Sequence, residues 1–170
     1  VLYMGDSLSV IFATIVAAII MFLFPMLDTW ERQDDLSYIA AYTSVVNTVD
    51  SVRNTGRLTA DMYNNLITSL NATGNRFDIQ LEHRAAEYVN AGANKYEVVY
   101  LNHYTQDIEN ALNTSGEYLD FRKGDYFYIS VKNRNRTQAT VLKQNLYNTK
   151  LETFKIGIPY GGQIRNEYVR

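Results

Sequence analysis

The chain contains no cysteine, which excludes disulfides, thiolate metal sites and cysteine nucleophiles. It has only two histidines and two prolines, and its net charge of -2 provides no basic face of the kind that binds nucleic acid. Positive charge is also absent from the N-terminal end, where the first Lys or Arg is Arg32. We therefore expect no metal, no cofactor and no nucleic-acid partner.

The chain begins at Val1, without an initiator methionine and without the Lys/Arg-rich region that opens a signal peptide. We expect that a leader has been removed, and a trimmed chain would look the same. The segment DTWERQDD, which starts at Asp28, holds more acidic than basic residues. Because positive residues favour the cytoplasmic side, this flank predicts that the C-terminal part lies outside the cell.

A long apolar run is the most prominent feature that is present. From Leu8 to Leu27 only Ser9, Thr14 and Pro25 fall outside the apolar set, and no residue is charged. A helix of roughly 20 residues crosses the hydrocarbon core of a bilayer. The run therefore predicts a membrane-spanning helix that Pro25 kinks or locally unwinds without ending it.

The helical pattern continues beyond the run and becomes amphipathic. Apolar and small residues recur there at steps of three and four, which predicts one buried stripe: Leu36, Ile39, Ala40, Thr43, Val46, Val49 and Val52. Gly56 is the predicted end of this helix. A helix from Leu2 to Asn54 would be roughly 80 Å long. We divide the chain into residues 1–54, with a membrane or filament-core segment at 8–27 and a domain-packing segment at 36–54, and a globular head domain at 55–170.

The head domain mixes both periodicities. Thr59 is a predicted N-cap for a helix that stops at Gly74, Thr105 is a predicted N-cap for a helix that stops at Gly116, and a third helix is predicted at 137–147. Strands are predicted at 77–82, 95–101, 126–132 and 154–158. Residues 85–93 read as a helical turn and a loop, and the tail from Pro159 through Gly162 reads as a loop. The predicted fold class is α+β: a long N-terminal helix, then a small domain with an antiparallel sheet of about four strands and short helices.

An acid within the first few residues, an uncharged apolar helix, a late proline, an amphipathic continuation and a small sheet domain together resemble a type IV pilin or pilin-like protein. The resemblance rests on Val1 to Asn54. It implies a structural subunit whose N-terminal helix is held in the membrane, passes to the pilus assembly machinery and then packs with identical helices into the core of an extracellular filament. Such a filament is an open helical homo-oligomer.

The resemblance also assigns roles to residues. It implies that Asp6 neutralises the amino terminus at Val1 of an adjacent subunit, and that Pro25 marks where the helix melts. The implied filament core consists of apolar residues of the first half of the helix: Leu8, Ile11, Phe12, Ile15, Val16, Ile19, Phe22, Leu23 and Leu27. The chain departs from the family, which commonly begins with an N-methylated Phe followed four residues later by Glu and has a C-terminal disulfide loop.

Other residues have a sharper and a plainer interpretation. Asp6 is also explained as an acid at a helix N-terminus in the membrane interface. His83 and His103 lack a motif and read as surface or turn histidines rather than metal ligands or bases. The 14 tyrosines fit ordinary sheet packing, subunit contacts or electron transfer along stacked rings. The N-glycosylation pattern occurs at three asparagines: Asn71, Asn113 and Asn135.

Two further functions stay open beside the pilin interpretation. One is a single-pass, membrane-anchored extracytoplasmic module that binds a ligand or belongs to a secretion system as a pseudopilin. The other is an enzyme tethered outside the membrane. We expect no enzyme, because no nucleophile–base spacing, phosphate loop or paired carboxylates stand out in the sequence.

Overall fold

The computed structural model describes residues 2–92, 95–116, 118–151 and 156–165, with side chains from residue 7 onward. Four helices and six strands are assigned in these ranges. In chain order they are α1 (Leu2–Thr55), β1 (Arg57–Thr59), α2 (Ala60–Asn71), β2 (Phe77–Asn90), β3 (Tyr96–Tyr104), α3 (Thr105–Ser115), β4 (Tyr118–Asp120), β5 (Tyr126–Asn133), α4 (Gln138–Tyr147) and β6 (Gly157–Gln163).

The first helix is continuous for 54 residues and includes Pro25. Gly56, at a positive φ of 68°, ends it as the sequence predicts. The fold class is confirmed: one long apolar-to-amphipathic helix precedes a small domain with a four-stranded antiparallel sheet and short helices. Of the strand predicted at 154–158, Ile158 lies in β6 and Ile156 lies just before it, and both are buried, whereas Phe154 lies outside the described residues.

Two compact units divide the chain: Val1–Leu36 with Thr137–Leu151, and Ser37–Arg136 with Glu152–Arg170. In the first unit, α4 begins at the N-cap Thr137, whose hydroxyl accepts from the Thr140 N–H and donates to the carboxylate of Asp34, 2.7 Å away. An ion pair between Lys143 and Glu31 also joins α4 to α1. The sequence pattern of the helix at 137–147 predicts Val141, Leu142 and Leu146 as its inward positions. Val141 and Leu146 are exposed instead, because Ala139 and Thr140 occupy the buried face of α4.

The second unit contains the four-stranded sheet, in the order β3-β2-β5-β6, and a two-stranded sheet of β1 and β4. The strand β5 alternates cleanly, and its inward side chains Phe127, Ile129 and Val131 are buried. Helix residues of α1 lie in the same core cluster, together with side chains of α2, α3 and β6. The core is therefore a helix packed on one face of an antiparallel sheet.

The buried stripe of α1 includes the predicted Val49 and Val52, but before them it runs along a different face from the predicted stripe. Ala41, Val45, Val49 and Val52 are fully buried, together with the polar Asp34 and Ser37, which the prediction passed over. Four predicted positions are exposed instead: Leu36, Ile39, Ala40 and Thr43. Two apolar stripes at helical spacing run side by side here, and only contact with the sheet distinguishes them.

Three further predictions for the head are corrected. Residues 85–90 belong to β2, not to a turn or loop, because they pair with β3. Residues 159–162 belong to the edge strand β6, which pairs with β5. The N-cap of α3 is Tyr104 rather than Thr105, and the Thr105 hydroxyl instead accepts a hydrogen bond from the Leu81 N–H at 2.9 Å.

Candidate functional site

The apolar half of α1 is the first candidate. Within the described part of the chain, this is the one helix long and apolar enough to cross a membrane, and none of its apolar window is buried. Most implied filament-core residues are exposed, for example Phe12 at 70% and Phe22 at 73%, whereas Leu23 and Leu27 are half-buried. An exposed apolar surface all round a helix is compatible with membrane anchoring or with a signal sequence.

The residues implied in assembly stand as follows. Val1 lies outside the described residues, and Asp6 is described only as part of the backbone of α1. Pro25 lies inside the helix, and its carbonyl accepts a hydrogen bond from the Thr29 hydroxyl at 2.8 Å. Pairing of Asp6 with Val1 of a neighbouring chain stays a prediction.

The flank that follows the apolar segment carries charge on the helix surface. Arg32 donates to the Asp28 carboxylate at 3.0 Å, and both side chains are largely exposed. An exposed pair at this spacing contributes only about 0.3–0.5 kcal/mol. The pair therefore contributes little stability, and it lies directly after the end of the apolar run at Leu27.

A second candidate is a groove of about 190 Å³ in the second unit. It is lined mainly by apolar residues and by both histidines: His83, His103, Asp107, Ile108, Ala111, Leu119, Asp120 and Phe121. The two histidines lie directly opposite each other on β2 and β3, and their rings stack with centroids 5.6 Å apart. The interpretation as turn histidines is therefore wrong, because both lie within strands.

Asp125 holds this site in place. One oxygen accepts from His83 Nε2 and from the Arg122 N–H, both at 2.9 Å, and the other accepts from the Ala86 N–H at 2.9 Å. The residue is almost completely buried. Sequence reasoning missed Asp125, because an acid that follows Gly124 in a turn before a strand gives no signal of burial.

The pKa values of both partners, His83 and Asp125, are lowered from their ordinary values. Burial lowers the pKa of His83 despite the opposing hydrogen bond and charge of Asp125. For Asp125, burial acts to raise the pKa, but the hydrogen bonds from Ala86, His83 and Arg122 outweigh it and the pKa is lowered. The pair is therefore best described as a neutral imidazole that donates to a carboxylate.

The chemistry of the groove is limited. Among the described residues no group of three or more acidic, histidine or cysteine side chains is placed to hold a metal ion. None of the described residues of the lining carries a hydroxyl or thiol. The His83–Asp125 contact is a clamp that links β2 to the turn before β5.

The three asparagines of the glycosylation pattern differ in their surroundings. Asn71, at the end of α2, and Asn113, in α3, are exposed. The side chain of Asn135 is engaged instead, because its amide donates to Asn75 Oδ1 at 2.9 Å and its oxygen accepts from the Arg76 N–H at 2.7 Å. A glycan at Asn135 would have to replace these contacts.

Several tyrosines form ring contacts on the outer face of the sheet. Tyr126 stacks on Tyr128 with centroids 6.2 Å apart, and the ring of Tyr100 meets Tyr126 edge-on at 5.7 Å. The Arg84 guanidinium lies 5.2 Å from the centre of the Tyr128 ring. These contacts pack the tyrosines on one another within the sheet, and their roles in subunit contacts or electron transfer stay predictions.

Comparisons with protein-family models, with curated proteins and with solved structures find no match to this chain.

Proposed function

We propose that the protein is a structural subunit of a type IV pilus-like extracellular filament. The observation that carries the proposal is the continuous helix α1, whose first half exposes most of its apolar side chains while its second half packs on a sheet domain. The membrane holds such a half-helix before assembly, and a bundle of identical half-helices buries it afterwards.

The polar groups of the helix start support the same role. A carboxylate and an amino terminus are each costly in an apolar bundle, and much less so as a hydrogen-bonded pair between neighbouring subunits. The resemblance to type IV pilins assigns this pairing to Asp6 and to an amino terminus at Val1. Head-to-tail contacts of this kind do not close on themselves and so generate an open filament.

The test compares Asp6→Ala with the conservative variant Asp6→Glu in cells that express no other copy of the chain. Sheared surface material is imaged by electron microscopy, and the filament subunit is identified by mass spectrometry. We expect filaments from the parent chain and from Asp6→Glu, and loss of filaments from Asp6→Ala with an unchanged amount of chain in the membrane.

Two other outcomes would redirect the proposal. Normal filaments from Asp6→Ala would remove the pairing role while keeping the pilin role. Absence of the parent chain from all sheared filaments, with the chain retained in the membrane, would favour the alternative of a single-pass anchored module facing the outside.

A further inference from the structure

The end of the β2–β3 hairpin extends beyond the rest of the sheet. The last residue of β2 that pairs with β5 is Arg84, opposite Tyr126, whereas pairing with β3 continues to Asn90. Residues 85–90 and 96–101 therefore form a two-stranded ribbon, which we call the hairpin arm. An isolated two-stranded ribbon is at best marginally stable in water, so a further strand on its open edge would stabilise the arm.

Both faces of the hairpin arm expose apolar side chains. Residues that alternate along a strand point to opposite faces. One face carries Tyr88, Tyr96, Val98 and Tyr100, and the other carries Val89, Val99 and Leu101, all of them exposed. The only charged residues of the arm are Glu87 and Glu97. Edge strands that do not pair with another chain normally carry charges, proline or a bulge. The part of β3 in the arm has Glu97 as its one charged residue and no proline.

The outer edge of β3 also presents backbone groups. In the order of the described strands, β3 is an edge strand with β2 as its single neighbour. The Ala91 N–H donates to the Lys95 carbonyl at 2.8 Å, so the odd-numbered residues of β3 turn their backbone groups toward β2. The even-numbered residues Tyr96, Val98, Tyr100 and Asn102 therefore turn theirs to the open edge. Tyr104 is also even-numbered, and its N–H points away from β2 and donates to Asp107 Oδ2.

We propose that the hairpin arms of two copies of this chain pair edge to edge through β3, antiparallel and centred on Tyr100. In this register Tyr100 lies opposite Tyr100 of the second copy, and Val98 lies opposite Asn102. Both pairs join residues whose backbone groups face the open edge, so each exchanges two hydrogen bonds. The two arms together form a four-stranded ribbon, and three or more strands with an apolar face are enough for a stable sheet.

Side-chain complementarity between two copies favours this register and a second copy as the occupant. Centred on Tyr100, the Glu97 carboxylate of one copy lies opposite the His103 imidazole of the other, and an imidazole N–H can donate a hydrogen bond to a carboxylate. Centred two residues closer to the hairpin tip, on Val98, Glu97 would lie opposite Val99. Centred on Glu97 itself, like charges would meet directly, and like charges opposite each other are destabilising.

The absence of native cysteine allows a direct test by disulfide formation. Tyr100→Cys places the Cα atoms of the two introduced cysteines about 5.5 Å apart. Disulfides join residues whose Cα atoms are about 4.4–6.8 Å apart. Val98→Cys is the matched control, exposed on the same strand and face but not opposite itself. With the full chain in detergent micelles under mild oxidation, we expect about tenfold or more disulfide dimer from Tyr100→Cys than from Val98→Cys.

A mixture of Val98→Cys and Asn102→Cys chains should recover the dimer, because these positions lie opposite each other. Equal dimer from Tyr100→Cys and Val98→Cys, or none from Tyr100→Cys, would overturn the proposal. The disulfide forms whether or not the chain polymerises, so this result is independent of the filament images that test the proposed function.

A second pair of variants removes the backbone bond without changing the inner ladder. Val98→Pro, in the Tyr100→Cys background, deletes an N–H that faces the open edge, and proline is tolerated there. We expect loss of the dimer with an unchanged circular dichroism spectrum, whereas Val98→Thr, which keeps the N–H, should retain the dimer. Retention of the dimer by a folded Val98→Pro chain would contradict pairing through this edge.

Discussion

Asp125 is buried and accepts three hydrogen bonds, so its removal leaves three buried or half-buried donors without this acceptor. Asp125→Ala leaves the backbone N–H groups of Ala86 and Arg122 without their acceptor. We expect the free energy of unfolding to fall by about 2–4 kcal/mol, since hydrogen bonds to charged groups and buried unsatisfied donors each contribute on this scale. Urea unfolding of the detergent-solubilised chain, followed by circular dichroism, measures the loss.

Asp78→Ala is the control for that variant, because Asp78 lies on an exposed position of the neighbouring strand β2. Its effect on the unfolding free energy should stay within about 0.5 kcal/mol, as is usual for surface substitutions. Equal losses from the two variants would mean that the three hydrogen bonds of Asp125 do not hold the turn.

The lowered pKa of His83 predicts that the fold loses stability in weak acid. Burial keeps the imidazole neutral in the folded chain below its ordinary pKa of 6.5, while the unfolded chain takes up the proton. Stability is therefore full above pH 6.5 and falls as the pH drops toward the folded pKa, with a slope of at most about 1.4 kcal/mol per pH unit. Unfolding curves between pH 7.5 and pH 5 measure it.

His83→Gln removes the titrating ring and should flatten the slope below pH 6.5, and an unchanged slope would contradict the assignment. The lowered pKa of Asp125 acts in a separate window: its carboxylate stabilises the fold above about pH 3.8 and loses that contribution in stronger acid. The two windows separate the partners of one contact.

At the scale of single elements, the buried stripe of α1 is the feature to test. Val45 is fully buried in the core, and Ile39 is 58% exposed. Val45→Ala should lower the free energy of unfolding by about 1.5–3 kcal/mol because it removes buried apolar atoms and leaves a cavity. Ile39→Ala should change it by about 0.5 kcal/mol or less. A larger loss from Ile39→Ala than from Val45→Ala would restore the stripe predicted from the sequence.

The sequence predicts those elements whose pattern is local. The helix end at Gly56, the cap at Thr59 and the alternation in β5 depend on a few neighbouring residues, and all three are as predicted. The choice between the stripes of Ile39 and Val45 depends on which one meets the sheet. That contact is long-range, and the polar Asp34 and Ser37 on the buried side conceal it.

The strand β6 shows a second limit, because its composition resembles a loop. Pro159 is tolerated since β6 is an edge strand. Gly161 is required by a close neighbour: a Cβ there would lie 2.6 Å from the Phe127 carbonyl oxygen. Only the packed structure explains these residues. The clamp of His83 and Asp125 was missed for a similar reason, since the two residues are 42 positions apart.

For the whole molecule, the decisive question is whether residues 8–27 stay in the mature protein. A helix with this exposed apolar surface is compatible with an anchor and with a signal sequence, and the two differ in one measurable respect. An anchor or filament core is retained, so the intact mass of the chain isolated from membranes or filaments should include residues 8–27. A mass that begins after Leu27 would exclude both roles.

The final prediction concerns how strongly the membrane holds this segment. Ile15 lies near its centre and is exposed. Ile15→Lys places a charge at the middle of the hydrocarbon, at a cost of about 2.5–3.5 kcal/mol on insertion scales, whereas Ile15→Val preserves the apolar surface. We expect alkaline carbonate to extract a much larger fraction of the Ile15→Lys chain than of the parent or of Ile15→Val. Equal extraction of all three chains would mean that lipid does not surround this half of α1, and that another protein covers its apolar surface.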